Sequence, residues 1–471
     1  MRIAVAGAGL SGLSLCHALQ EKLAGSGRTA EIMLFESEGR TGGKVRTIKE
    51  SGYLVEWGPN GFLNNKPDTL ELCRKLGIDR LMLPSNEAAR KRYIYAGGRL
   101  HLLPESPPAF LKSRLLSWPA KLRLAGEVFI PPAPADKDQT LAEFATRRLG
   151  PQALERLIGP MASGVFGGDP DTMSLKSCFP RIYELERDYG GLFRALVALG
   201  RQKKKEKKAS GDKSGPAGPG GVLTSFDGGL EVLTNALQGA FKGELVLAAP
   251  VRSVEKTAEG GFLIHADGQA GPIHADVFVS ASPAYAASEF LAGVDPDIPD
   301  TLNRIPYAPM SVVCFGLKKD GVGHSLDGFG FLVGLKEGRK ILGTLWDSSI
   351  FPGRAPEGFC SLRSMAGGAR DTVTPFLRDE EIIQTVRSEL SVIMGINAAP
   401  GFVKVFRHEK AIPQYIVGHS GKVARCDALE TKHPGLFFAG NSFRGVGIND
   451  CVREAYAVAD KIMKLTKPSG M

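Results

Sequence analysis

The chain has 471 residues, of which 43% are hydrophobic, a mean hydropathy near zero and a formal net charge of +9. This length usually divides into two or more domains, and no apolar run reaches the roughly 18 residues that span a bilayer, so any membrane contact is expected to be peripheral. Seven cysteines without a CxxC pair argue against a disulfide scaffold or a zinc site and for a reducing compartment.

The first predicted element is an apolar strand at residues 3–6, which leaves no room ahead of it for a signal or transit peptide, and a cytoplasmic protein is expected. It runs into Gly7-Ala8-Gly9-Leu10-Ser11-Gly12, and residues 13–23 then show helical spacing. Strand, GxGxxG and helix form the context in which this motif binds a dinucleotide. Gly7 permits the tight turn, Gly9 lets a pyrophosphate approach the backbone, and Gly12 lets helix and strand pack closely. The N–H groups at the helix start, around Leu10 and Ser11, face the phosphates. A second strand at 31–35 ends at Glu36, whose carboxylate accepts from an adenosine ribose, which favours an unphosphorylated ribose. The stretch SEGRTGGKV follows at 37–45, then an apolar strand at 53–55 and the turn Gly58-Pro59-Asn60-Gly61.

Further on, residues 106–126 (SPPAFLKSRLLSWPAKLRLAG) hold Lys112, Arg114, Lys121 and Arg123 with no acid, interleaved with Leu, Phe and Trp. Pro119 is expected to break this segment into two short helices. It either lies on an anionic lipid surface or is an ordinary helical segment with its cations in water. Residues 201–221 (RQKKKEKKASGDKSGPAGPGG) hold seven Lys or Arg against two acids, so five of the nine net charges sit there. Without apolar periodicity this segment reads as a disordered loop, and nucleic acid is not an expected partner. Residues 244–251 read as a strand reaching Val251, and 274–284 as another. Residues 437–450, FFAGNSFRGVGIND, form a second glycine-rich turn, which by itself is also consistent with a helix entry capped by Asn449 or Asp450.

The E-x(3)-R-x-G-G pattern from Glu36 to Gly43 resembles the flavoprotein family of amine oxidases, phytoene desaturases and protoporphyrinogen oxidases, which bind FAD. The resemblance accounts for the second turn: an N-terminal box holds the ADP half of FAD, and a late strand returning beside the first brings GLFFAGNSFRGVGIND onto the flavin end. It implies cofactor contacts at Ser37, Arg40, Gly43, Lys44, Gly58, Pro59 and Asn60. It also implies Val251 near the adenine, Gly440 and Asn441 at the strand end, and Val446, Gly447 and Ile448 against the flavin. The phrases KRYIYAGGRLHLLPESP, LAEFATRRLGPQALERLI, SGVFGGDPDTMSLKSCFP, TSFDGGLEVL, DGFGFLV and HEKAIPQYIVGH resemble the protoporphyrinogen oxidases in particular, across nearly the whole chain.

That resemblance implies a reaction: FAD takes hydride equivalents three times from a porphyrinogen, and O2 or a quinone-type respiratory acceptor reoxidises it. It matches Arg92 to a propionate anchor, Phe329 and Leu332 to a sandwich around the macrocycle, Met365 to a residue facing the reacting carbon, and Gly164 to a point where a side chain would obstruct substrate. Arg92 could equally be a solvent-facing edge-strand residue, and the three apolar residues ordinary core. No Ser/His/Asp triad and no HExxH spacing is present, so no acid/base residue and no metal are assigned. Coproporphyrinogen, with four propionates instead of two, is the alternative substrate. A non-catalytic module of the GDP-dissociation-inhibitor kind is the remote one.

The expected fold class is α/β with α+β inserts, an FAD-binding Rossmann-like domain joined to a mixed substrate-binding domain and a mostly helical membrane-binding region. FAD-binding segments are expected at 1–85, 222–285 and 426–471, the helical and substrate region at 86–200, the flexible loop at 201–221, and the substrate domain at 286–425. Expected partners are the porphyrinogen, the electron acceptor, the inner face of the cell membrane and, as an option, a second copy of the chain.

Overall fold

Both ends of the chain meet on one parallel sheet. In the computed structural model, which describes residues 1–134, 137–210 and 221–465, its order is Glu244–Val246, Glu31–Phe35, Arg2–Ala6, Val277–Ser280 and Leu436–Phe438. These strands are short continuous apolar runs because both faces are covered. One face packs on the helices Leu10–Ser26, Glu231–Ala240 and Ile448–Leu465 through Leu13, Leu237, Val452 and Ala455. The other packs on the small antiparallel sheet Val251–Lys256, Phe262–Ala266 and Ile273–Ala275, and on the helices Ala284–Phe290, Asp297–Asn303 and His419–Lys432.

A second sheet of seven strands stands beside it, in the order Phe402–Pro413, Tyr307–Lys318, Phe359–Gly367, Gly343–Leu345, Gly330–Val333, Arg92–Ala96 and Arg99–Leu102. Helix Asp379–Met394 covers one face, burying Ile382, Val386 and Leu390 against Val313, Phe315, Phe331 and Val333. Because strand side chains alternate, Leu332 points to the opposite face. The third region is helical, and Arg148 pins it from inside: its guanidinium reaches Glu127 at 2.8 Å and Glu186 at 2.7 Å, all three side chains being buried.

The structure corrects several expectations. The predicted strand to Val251 is two strands in different sheets: after Val246 the chain turns through Ala248 (φ 51°), with Ala248 N–H and Ala249 N–H donating to the carbonyls of Glu38 and Glu36. The strand expected over 274–284 likewise changes sheet at Asp276, whose carboxylate accepts from the Arg2 backbone N–H. The late strand Leu436–Phe438 does not lie beside the first strand, since Val277–Ser280 is inserted between them. Helices Ala284–Phe290 and Asp297–Asn303 bury Phe290, Ile298 and Leu302 in the nucleotide-sheet core, so the chain enters the substrate sheet at Tyr307 and not at 286. The boundary expected at 425/426 falls inside helix His419–Lys432.

Two further corrections concern the basic segments. Helix Leu192–Ser210 runs through the first half of the segment read as a loop, because Lys, Glu, Gln and Ala are good helix formers even without an apolar stripe. The rest of that expected loop, 211–220, lies outside the described residues. Pro119 does not break a helix. It sits in the first turn of Trp118–Ala125, where its missing N–H costs nothing, and the break from Pro107–Lys112 comes at residues 113–117.

Candidate active site

The first turn is built as the sequence demands. Gly7 (φ 106°) donates its N–H to Phe35 O at 2.8 Å, and a side chain on Gly12 would collide with Gly7 O. Gly9 differs: a Cβ there would meet nothing nearer than Gly43 Cα at 3.9 Å. Space therefore lies open over Gly9, at the start of a helix with no side-chain cap and no acid in its first turn. Glu36 Oε2 accepts from Ala8 N–H at 2.8 Å while Oε1 takes Ser37 Oγ and Glu38 N–H, which leaves carboxylate lone pairs for a hydroxyl.

The SEGRTGGKV loop closes over this turn. Gly42 N–H donates to Ala8 O at 2.8 Å, and Arg40 holds the loop by donating to the carbonyls of Thr41 and Gly43. Lys44 turns toward strand Phe402–Pro413, its Nζ donating to Lys410 O (2.8 Å) and Ala411 O. Burial pushes its amine down to about 8. Gly58 fits tightly, since a Cβ there would strike Lys44 O.

The second glycine-rich turn arrives at the same place. Gly440 (φ 111°) lies with its Cβ direction 3.7 Å from Ala281 O and 3.9 Å from Ser11 Oγ, so the two turns abut. Asn441 O accepts from Tyr415 Oη at 2.6 Å, Gly447 O accepts from Asp450 and Cys451 N–H, and Ile448 is buried as it opens the last helix. The helix entry and the second grip are thus one object. Asn449 does not cap it: Asn449 Nδ2 donates to Leu63 O at 2.9 Å, and Asp450 packs under Gly445.

On the seven-stranded sheet, Arg92 pairs in register with Gly330 and Gly343 with both Leu332 and Met365. Arg92 is exposed and lies over the half-buried Phe329 ring at 5.4 Å. A Cβ on Gly164 would come within 2.6 Å of Leu332 Cδ2. Helix Gly159–Phe166, which carries Gly164, also packs Phe166 in the cluster that includes Val446. That helix therefore links the wall formed by Leu332 to the second glycine turn. Val251 is half-buried against the core on this face of the nucleotide sheet, two residues after Ala249, whose N–H donates to Glu36 O.

The family match covers the description "Flavin containing amine oxidoreductase" over residues 10–463. The chain belongs to the flavin-containing amine oxidoreductase family. It is 30% identical over 474 residues to the coproporphyrinogen III oxidase of Bacillus subtilis (98% of each chain). It is also 30% identical over 472 residues to a chloroplastic protoporphyrinogen oxidase of Nicotiana tabacum (97% of this chain, 84% of the relative). A crystal structure from Exiguobacterium sp. 255-15, provisionally described as a protoporphyrinogen oxidase, superposes with a TM-score of 0.81 at 25% identity over 98% of each chain.

As a member of this family the protein is an FAD-dependent oxidoreductase. The residues present fit that cofactor: the open space over Gly9 suits a pyrophosphate, Glu36 a ribose, and the abutting turn at Gly440 the flavin end. Asn60 Oδ1 and Asn449 Oδ1 are buried acceptors with no partner among the described residues, and both lie in segments that border this groove.

Sequence reading missed a buried charge cluster beneath the Gly58–Gly61 turn. Arg363 donates to Gly58 O at 2.8 Å and pairs with Asp347 at 3.1 Å, while Asn60 Nδ2 donates to Asp347 Oδ1 at 3.3 Å. Burial raises the carboxyls of Asp347 and Glu56, the latter to about 7, against the opposing pull of Arg363 and Arg354. The available signal was an arginine at an inward position of an otherwise uncharged strand, FCSLRSMAG.

Proposed function

We propose that the protein oxidises protoporphyrinogen to protoporphyrin, six electrons in three steps. The observation that supports this reading is strand register: Leu332 and Met365 flank Gly343 on one face of the sheet, Arg92 pairs with Gly330, and its outward guanidinium lies over the Phe329 ring. A large apolar macrocycle with carboxylate tails needs that combination. Hydride acceptance is the chemistry FAD supplies when bound. The chain's task is to anchor a propionate with Arg92, to hold the macrocycle between apolar side chains and to keep water away.

A second reading is coproporphyrinogen oxidation, favoured by the full-length similarity to the Bacillus subtilis enzyme. Four propionates call for more free positive charge than this wall offers. Lys44 is engaged with backbone carbonyls and Arg363 with Asp347 and Gly58 O, so neither is free for a further carboxylate. The dicarboxylate is therefore the leading substrate.

The deciding experiment follows porphyrin fluorescence from purified holoenzyme given protoporphyrinogen or coproporphyrinogen in air. A larger kcat/KM for the dicarboxylate, above the spontaneous rate, is expected. The reverse preference selects the second reading, and no turnover of either sinks both.

The acceptor in this proposal is O2 or a quinone. The protein docks on the inner face of the cell membrane through Leu111, Trp118, Leu122 and Phe129, of which Phe129 is 84% exposed. Exposed Lys112 and Arg114 accompany them. Lys121 and Arg123 do not belong to that surface: Lys121 Nζ is buried against Leu111 O and Ser113 O, and Arg123 donates to the carbonyls of Arg147 and Arg148.

A further inference from the structure

The phrase HEKAIPQYIVGH has no part in the chemistry above, yet its last six residues touch both halves of the site. Tyr415 Oη donates to Asn441 O at 2.6 Å and accepts from Gly445 N–H at 2.8 Å, so one hydroxyl spans the base of the second glycine turn. The Tyr415 ring stacks on His419 with centroids 3.9 Å apart and planes 13° from parallel. His419 Nε2 lies 2.9 Å from Phe443 O, and because a carbonyl only accepts, that nitrogen carries the proton. Its Nδ1 is then an acceptor, buried and without a partner among the described residues. Three backbone groups within five residues of the flavin-end turn are therefore held by two side chains.

The neighbouring residue works in the other direction. Gln414, also buried, donates from Nε2 to Phe166 O at 2.8 Å and to Ile412 O at 3.1 Å. Phe166 ends the helix whose Gly164 faces Leu332. The carbonyl of Tyr415 accepts from Ser174 N–H at 2.8 Å, which ties the same segment to the chain beyond that helix.

We infer that residues 414–419 form a bracket that sets the flavin-end turn and the substrate wall at a fixed separation, with Tyr415 and His419 as positioning residues for FAD and Gln414 as a positioning residue for the macrocycle. None of the three touches the reacting atoms. Each holds backbone whose placement decides where they lie, and an error of about 1 Å in such placement is enough to slow a reaction. The buried ring pair makes the bracket stiff, and the neighbouring hydrogen bonds make it directional.

The test compares three variants of the holoenzyme. Tyr415→Phe keeps the stack and deletes the hydroxyl with both of its hydrogen bonds; FAD release on dilution, followed by flavin fluorescence, is expected to rise roughly tenfold or more. Its kcat falls while KM for the porphyrinogen stays. Gln414→Met is expected to raise KM several-fold with FAD retention and flavin absorbance unchanged. His419→Phe preserves the stack without the Nε2 donor and should reproduce the Tyr415→Phe pattern, which covers the case in which one variant fails to fold. Unchanged FAD release in folded Tyr415→Phe and His419→Phe overturns the flavin half of the bracket. A Gln414→Met effect on FAD release equal to that of Tyr415→Phe overturns the division of roles. Only the kcat and KM readouts rest on the porphyrinogen reading; FAD release tests the bracket whatever the substrate.

Discussion

Two glycines three residues apart in the first turn carry opposite predictions. Gly9 has extended backbone (φ −71°) that any residue adopts and open space before it, so Gly9→Val should fold with a melting temperature near that of FAD-free wild type. It should nonetheless purify colourless, because the valine fills the room a pyrophosphate needs; retained 450 nm absorbance would show that FAD lies elsewhere. Gly12 has no such freedom, since any Cβ collides with Gly7 O, and substitution there should cost folding itself. Arg92 poses the question at the other end of the site. Exposed and held by a ring face alone, it contributes little to stability, so Arg92→Ala should leave the melting temperature in place. KM for the porphyrinogen should rise about tenfold or more with kcat nearly kept, as for loss of a charge-assisted anchor. Unchanged kinetics would remove Arg92 from the site.

Helix Gly159–Phe166 shows how an element transmits size. A Cβ on Gly164 meets two Leu332 methyls at 2.6 and 3.0 Å, so Gly164→Ala must displace Leu332 into the substrate space. The expected cost is about 1–3 kcal/mol of substrate affinity or stability, and adding Leu332→Ala should restore much of it; absence of rescue would mean the two do not share a boundary. At this scale the sequence was legible where signals are local. The strand, glycine turn and helix from Arg2 to Ser26 and the strand ending before Glu36 are written in consecutive residues, and they fold as read. It was illegible where partners are distant. Nothing near Val246 announces the turn that Glu36 and Glu38 impose, and nothing near Glu56 announces Arg363. The helix through 201–210 failed differently: the propensity was present, but reading by apolar period alone discards it.

For the molecule as a whole, the buried charges Glu56, Asp347, Arg354 and Arg363 join the nucleotide segment to the substrate sheet. Glu56 has its carboxyl raised to about 7 chiefly by burial, so its folded value exceeds its ordinary one. Its contribution to stability is then fully present below the ordinary carboxylate range and is lost as the pH rises through about 7. Glu56→Gln keeps an acceptor for Leu230 N–H and reverses the Thr47 contact, the amide donating to the Oγ1 that donates to Glu56 Oε2 in the wild type. The melting temperature of the wild type should therefore fall relative to this variant between pH 5 and pH 8, the window set by that shift; parallel curves would show that Glu56 does not titrate there. On the outer surface, Trp118→Ser with Leu122→Ser should weaken co-sedimentation with anionic vesicles, and Lys112→Gln with Arg114→Gln should weaken it most at low salt. Binding that ignores both pairs would place the membrane face elsewhere.

The position of Val277–Ser280 between the first and last strands has a consequence for synthesis. As the chain leaves the ribosome, Arg2–Ala6 finds Glu31–Phe35 early but must wait for some 270 residues before the neighbour on its other side is made, and that neighbour keeps an open edge until Leu436–Phe438 emerges. The nascent sheet keeps one edge of its first strand unpaired for more than half of translation, a state prone to mispairing. The glycine turn at 440–447 comes only after that last strand, so FAD is captured late and closes the fold, and its supply during synthesis bears on how much of the protein reaches the native state.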